Sequence, residues 1–325
     1  MNRMKILLSA ALMLAATASI AQDFSDPRYA PWGDTPEQRK QNILMSNLLK
    51  ESVDTRDYDA AAHYYRTLAQ EAPSAFEATF IRGAQVYSNK VQRAQDLNEK
   101  KALLDSLMMI YDLRVQYFPA SPNYGTAYVL DRKAREYLTF NPSDREGVRK
   151  LYKEAIEAGL QSGYAALPDV ALVYFSNLCD DYKVGEVYPD VVLDEYARLT
   201  PIFESDAPAV KEAKKQFDAC FAGSGAADCE NLEKMFRPRI EAAPEDMELL
   251  KQTVSLMSRS QCSSEFFLQI AEKYYAMEPS AQTAMMLAQG FQERGDFAKS
   301  TTYLREAIAA EKDAVQKELL LVRLS

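Results

Sequence analysis

The chain has 325 residues, with 38 Lys and Arg against 47 Asp and Glu, and a formal net charge of −9 at pH 7. This acidic balance argues against a nucleic-acid partner, because phosphate groups require a basic surface. Only 11 glycines occur, and Ala, Leu, Glu and Lys are abundant, which favours helices over strands.

Residues 1–21 have the pattern of a signal peptide. Arg3 and Lys5 precede an apolar stretch at residues 6–18, and Ser19-Ile20-Ala21 fits the small-x-small cleavage rule. The alternative is an uncleaved anchor helix, although the stretch is short for a membrane span. We therefore expect an exported mature chain without a transmembrane span.

Residues 22–34 are predicted to form an extended lead-in along the first helices. Thr35 then caps a helix, with Pro36 at its first position and Gln38 placed to complete a capping box. Ser143 and Glu146 repeat the capping pattern later in the chain. Capping residues, prolines and glycines predict fourteen helices in one domain at 35–325, namely 36–51, 58–72, 75–89, 94–117, 122–139, 144–159, 165–181, 189–203, 208–222, 229–242, 245–259, 264–277, 281–294 and 297–311.

The last complete helix pair, from Pro279 to Asp313, has a length of about 34 residues, which is typical of a tetratricopeptide repeat (TPR). A unit this short cannot bury its own apolar face, so it must stack on similar units. The pattern thus predicts seven antiparallel pairs, followed by a half-repeat at 314–325 that has no polar cap.

Three parts of the chain have apolar residues at the packing positions of TPR units. They are Leu287, Ala288, Phe291, Gly295, Phe297, Leu304 and Ala307 in the last unit, Tyr58, Ala61, Tyr65 and Pro73 in the first, and Leu250, Val254 and Met257 in the sixth.

The runs at 33–40, 105–112 and 224–230 resemble a family of exported TPR proteins from anaerobic Gram-negative gut and oral bacteria. The resemblance implies an all-α, right-handed TPR-like α-solenoid. It also implies a location in the periplasm or at the surface of a Gram-negative cell.

Four cysteines, Cys179, Cys220, Cys229 and Cys262, lie in the mature chain. An even number in an exported protein indicates disulfides, and the helix order places all four on one edge of the solenoid. We predict the pairs Cys229–Cys262 and Cys179–Cys220. The alternatives are a Cys220–Cys229 bond within one turn and four free thiols.

The inner groove is the surface through which TPR domains usually bind. Family spacing places Gln282, Met285, Gln289, Gln292 and Glu293 of the last unit there, with Glu248, Lys251, Ser255, Ser258 and Arg259 of the sixth. A carboxylate clamp of the Lys/Asn type is not expected, because Met285 and Gln289 stand at two of its positions.

No catalytic, cofactor or metal site is expected, since His63 is the single histidine and no nucleophile, phosphate-binding or C-x-x-C motif occurs. The pattern favours a non-enzymatic scaffold that binds another envelope or secreted protein. One alternative is a glycan-binding or hydrolytic envelope factor that uses groove carboxylates and tyrosines. Another is a homo-oligomer that assembles through residues 314–325.

Overall fold

The computed structural model describes residues 23–121 and 124–311. The predicted signal peptide at 1–21 and the half-repeat at 314–325 lie outside the described residues. The chain divides into two compact units, with the boundary between Gly125 and Thr126.

The described residues of the first unit contain four α-helices that form two of the predicted pairs. They are α1 (Pro36–Asp54), α2 (Tyr58–Glu71), α3 (Ala78–Arg93) and α4 (Leu97–Tyr117). Each helix packs on the next along the chain. The third helix begins later than the predicted residue 75, because a turn closed by the Ala75 N–H and the Ala72 carbonyl follows α2.

The sequence predicted an extended lead-in at residues 22–34. In the structure, residues Pro27–Trp32 form a 3-10 helix. The Asp26 side chain accepts a hydrogen bond from the Arg28 amide at its start. This segment contacts α1, since the Asn42 side chain donates to the Trp32 carbonyl at 2.8 Å.

The second unit contains ten described α-helices, and the described residues of the whole chain include no strand. They are α5 (Thr126–Phe140), α6 (Arg145–Ser162), α7 (Leu167–Lys183), α8 (Pro189–Leu199), α9 (Pro208–Ser224), α10 (Cys229–Ala242), α11 (Met247–Arg259), α12 (Glu265–Met277), α13 (Ala281–Glu293) and α14 (Phe297–Ala310). The all-α prediction is confirmed, and successive helix pairs stack as in an α-solenoid.

The fifth pair departs from the predicted hairpin. Helix α9 packs mainly on α7, while α10 packs on α8 and α11. The α8–α9 connection includes a 3-10 helix at Thr200–Phe203, where the sequence predicted a continuous helix to residue 203. Helices α9 and α10 are therefore adjacent in sequence, but each packs mainly on other helices of this unit.

An aromatic cluster explains the position of α9. Phe217 and Phe221 of α9 are fully buried, and their rings lie 4.8 and 4.0 Å from the Tyr196 ring on α8. Phe175 of α7 and Phe203 of the 3-10 helix lie 4.4 and 4.6 Å from Phe217. Because buried aromatic rings contribute more apolar area than other side chains, this cluster binds α9 to α7 and α8.

Two local predictions are wrong. Helix α6 is capped by Asp144, which accepts from the Gly147 amide, instead of by Ser143. Phe297, assigned to a packing position, is 67% exposed at the start of α14. Its TPR-like neighbours Leu287, Phe291 and Ala307 are buried as predicted.

The structure contains the predicted Cys229–Cys262 disulfide, which joins the start of α10 to the turn after α11 with a Cα–Cα distance of 5.4 Å. The predicted Cys179–Cys220 bond is absent, and both residues are free thiols. Cys179 is buried, whereas the Cys220 sulfur contacts the Ser176 hydroxyl at 3.2 Å. Ser176 lies one turn before Cys179 on α7, so the Cys220 sulfur contacts this hydroxyl and forms no bond with Cys179.

In the described part of the chain, no helix is both long enough and apolar enough to cross a membrane.

Removal of the Cys229–Cys262 disulfide should destabilise the protein. The loop that this bond closes spans 33 residues in sequence, so the double variant Cys229→Ala/Cys262→Ala should lower the free energy of unfolding by about 3–4 kcal/mol on the chain-entropy estimate. Urea denaturation under non-reducing conditions measures this difference. Cys220→Ala is the control, because its thiol closes no loop; equal midpoints for both variants would contradict the assignment.

Candidate functional site

A cavity of about 770 Å³, here called the central groove, opens in the second unit. Four of the ten predicted groove residues line it: Glu248, Lys251, Ser255 and Arg259. The described residues that line it are Tyr196, Thr200, Glu204, Lys214, Asp218, Arg239, Ala242, Ala243, Asp246, Glu248, Leu249, Lys251, Gln252, Ser255, Leu256 and Arg259.

Helix α11 supplies one wall of the central groove. Asp246 caps this helix by accepting hydrogen bonds from the Glu248 and Leu249 amides. Lys251, Ser255 and Arg259 follow at intervals of four, which places them on one helix face. The opposite face bears the buried Leu250, Val254 and Met257, whose inward orientation the sequence predicted.

Asp218 forms the floor of the groove and is 8% exposed. Its carboxylate accepts a hydrogen bond from the Tyr196 hydroxyl at 2.8 Å and from the Arg259 guanidinium at 3.1 Å. Lys214, one turn earlier on α9, forms an ion pair with the same carboxylate. Such a buried charge is stable only when it is paired and hydrogen-bonded, and here three donors satisfy it.

Tyr196 connects this floor to the aromatic cluster. Its ring packs against Phe217 and Phe221, while its hydroxyl points to Asp218. Burial and the adjacent Asp218 carboxylate raise the pKa of Tyr196 far above its usual value, so the phenol stays protonated. It therefore acts as a hydrogen-bond donor to Asp218.

The last repeat has a separate cavity of about 570 Å³. Met285, Gln289, Gln292 and Glu293 line it, as the family spacing predicted, together with Ala288, Ser300 and Leu304. Gln282 is exposed and does not line it among the described residues, and Ser258 of the sixth unit does not line the central groove. Four residues of each predicted set thus line a cavity, and the two sets line different cavities.

The first unit has a cavity of about 410 Å³ beside α2 and α3. Two of its three cations are already engaged, since Lys90 forms an ion pair with Asp59 and the Arg93 guanidinium lies 4.8 Å above the Tyr58 ring; the third is Arg56. This cavity presents less unpaired charge to a ligand than the central groove does.

Two buried titratable groups of the second unit, Asp218 and Cys179, are poorly suited to catalysis. A general acid or base needs a carboxyl group free to exchange a proton, whereas Asp218 is held by three donors. Burial raises the pKa of the Cys179 thiol to about 12, which makes it a poor nucleophile near neutral pH.

Three groove residues were not predicted from the sequence, namely Tyr196, Lys214 and Asp218. These residues lie in the part of the chain where the TPR pattern is weakest, and α9 packs on an unexpected partner. One signal was available, since Asp218 lies between Phe217 and Phe221 on the apolar face of its helix. A carboxylate on such a face needs a buried donor.

No protein-family model matches the chain, and no curated protein matches it. A solved structure with some similarity is a tetratricopeptide repeat protein from Parabacteroides merdae ATCC 43184, with a TM-score of 0.33 and 10% identity over 87% of this chain and 98% of that chain. Another is Nro1, a hypoxic regulator of sterol synthesis and nuclear import adaptor, with a TM-score of 0.28 and 12% identity over 88% and 92%. Similarities this low support no argument about function, and the fold assignment stands on the helices themselves.

Two buried tyrosines provide a matched test of the groove floor. Tyr196→Phe should lower the free energy of unfolding by about 1.5–3 kcal/mol, because it removes a hydrogen bond to a charged group. Tyr152→Phe should be nearly neutral, since the Tyr152 hydroxyl is buried without a hydrogen-bond partner among the described residues. Urea denaturation of both variants measures the difference, and equal losses would show that the bond to Asp218 contributes nothing particular.

Proposed function

We propose that this chain is a non-enzymatic scaffold that binds an extended segment of another protein in the central groove. The observation that supports this most strongly is the groove itself, whose floor is fixed by Asp218 and whose wall is one face of α11. Four of its lining residues occupy positions through which TPR domains commonly bind.

The lining is suited to a polar polypeptide. Of the sixteen described residues that line it, eight are charged, four of each sign, whereas pockets for small molecules are lined mainly by apolar side chains with few polar groups. Ser255 and Gln252 lie between the charges of α11 and can hydrogen-bond to a peptide backbone. A protein segment can bind such a surface through many individually weak contacts.

The proposal places the protein in the cell envelope of a Gram-negative bacterium. The signal-peptide pattern at residues 1–21 and the Cys229–Cys262 disulfide both support this location, because stable disulfides form mainly in oxidising compartments. The partner is accordingly an envelope or secreted protein.

The glycan-binding and hydrolytic alternatives have less support. Among the described residues that line the groove, Tyr196 is the only aromatic one, and its hydroxyl is committed to Asp218. Sugar-binding sites usually present a free aromatic face, and hydrolysis of a glycoside needs two carboxyl groups placed across the bond.

Site-specific photo-cross-linking tests the proposal directly. A photoreactive phenylalanine analogue replaces Ser255, which is exposed in the groove, or Gln216, which is exposed on α9 outside it. After irradiation of intact cells, the Ser255 position should yield a discrete adduct with another envelope protein, and the Gln216 position should not.

The adduct mass separates the alternatives. An adduct at twice the mass of the chain would indicate self-assembly, which residues 314–325 were predicted to mediate. The absence of any adduct from Ser255, or equal adducts from both positions, would contradict binding in the central groove.

A further inference from the structure

The charged groups at the groove floor, Asp218 and the two cations that pair with it, have a net positive charge. Lys214 and Arg259 share this single carboxylate, so the three charged groups sum to one positive charge. Tyr196 adds no charge of its own while its phenol stays protonated. The groove therefore has a local positive site in a chain whose overall charge is −9.

Both cations remain accessible from the groove. The side chain of Arg259 is 53% exposed and that of Lys214 is 28% exposed, compared with 11% for Asp218. Only one guanidinium nitrogen of Arg259, Nη1, bonds to Asp218. Because arginine presents five N–H donors in a planar fork, most of its donors are open to a further acceptor.

The other groove charges, two cations and three acids, sum to one negative charge, so the groove as a whole is neutral and the positive charge is local to Lys214 and Arg259. Asp246 uses its carboxylate to cap α11, while Arg239 and Lys251 form no ion pair among the described residues. Glu204 and Glu248 are exposed. One buried acid, Asp218, thus holds two of the four groove cations, while the other three acids are exposed.

We infer that Lys214 and Arg259 form a binding site for a carboxylate side chain, so that the partner segment in the central groove has an Asp or Glu at this point. The inference rests on the proposed function. Charge-assisted hydrogen bonds between guanidinium or ammonium groups and a carboxylate are short and strong. The incoming carboxylate would balance the second cation and leave the bond between Tyr196 and Asp218 in place.

A basic side chain of the partner fits this position poorly. Asp218 already accepts from three donors and is 8% exposed. A third cation would meet Lys214 and Arg259 before it reached the carboxylate, and like charges in a partly buried site repel strongly.

Peptide selection tests this inference. A phage-displayed library of random peptides is selected against the intact mature chain, and recovered peptides are synthesised and measured by fluorescence polarisation. We expect enrichment of Asp and Glu. Lys214→Gln and Arg259→Gln should each weaken binding of the acidic peptides by about tenfold or more, as expected for loss of a charged hydrogen bond.

Each variant leaves Asp218 with one cation and Tyr196, so the fold should survive, and circular dichroism checks that it does. Lys211→Gln is the matched control, because Lys211 lies one turn before Lys214 on α9, pairs with the exposed Asp206 and does not line the groove. It removes the same charge and should leave affinity unchanged.

The outcomes separate the two proposals. Peptides that bind in the groove without acidic enrichment, or that lose equal affinity in all three variants, would overturn the carboxylate site and leave peptide binding intact. Failure to select any peptide that Ser255→Trp blocks would overturn peptide binding in the groove, and the carboxylate site with it.

Discussion

The hydrogen bond from Tyr196 to Asp218 connects the interior of the second unit to its surface. The tyrosine ring is part of the aromatic cluster that holds α9 against α7 and α8, and its hydroxyl fixes the carboxylate at the groove floor. A buried carboxylate in this position must be paired, and its pairs are Lys214 and Arg259. The charges that a ligand meets are therefore positioned by packing in the core.

Other buried carboxylates in the second unit follow the same rule with a different consequence. Asp181 is 3% exposed and pairs with Arg145 and Arg149, while Glu195 pairs with Lys153 and Arg198. None of these six residues lines the central groove. Two cations on one acid are thus a recurrent way to stabilise buried charge here, and at Asp218 that arrangement also faces a cavity.

Much of the fold could be predicted from the sequence because its signals are local. Thr35 caps α1 as expected, although Gln38 accepts from the Asp34 amide instead of the Thr35 amide that a capping box would use. Proline and capping residues placed most helix ends within a few residues, since they act on their own neighbours in the chain.

The site was predicted only in part because its remaining contacts are not local. The α11 face followed from repeat spacing, whereas Asp218 meets Tyr196 and Arg259 across 22 and 41 residues. The packing of α9 was not predicted for the same reason. Its aromatic contact with Phe175 places it on α7, although α10 is the next helix in the chain. Cys229–Cys262 was predictable because adjacent turns place those residues together, while the orientation of Cys220 toward Ser176 was not.

We expect core packing and groove charge to be coupled through Asp218. A double-mutant cycle with Tyr196→Phe, Arg259→Gln and the combined variant, followed by urea denaturation, measures this coupling. Because both side chains bond to the same carboxylate, we expect an interaction energy of about 0.5–3 kcal/mol between the two substitutions. Losses that add to within about 0.3 kcal/mol would contradict it, since independent sites behave in that way.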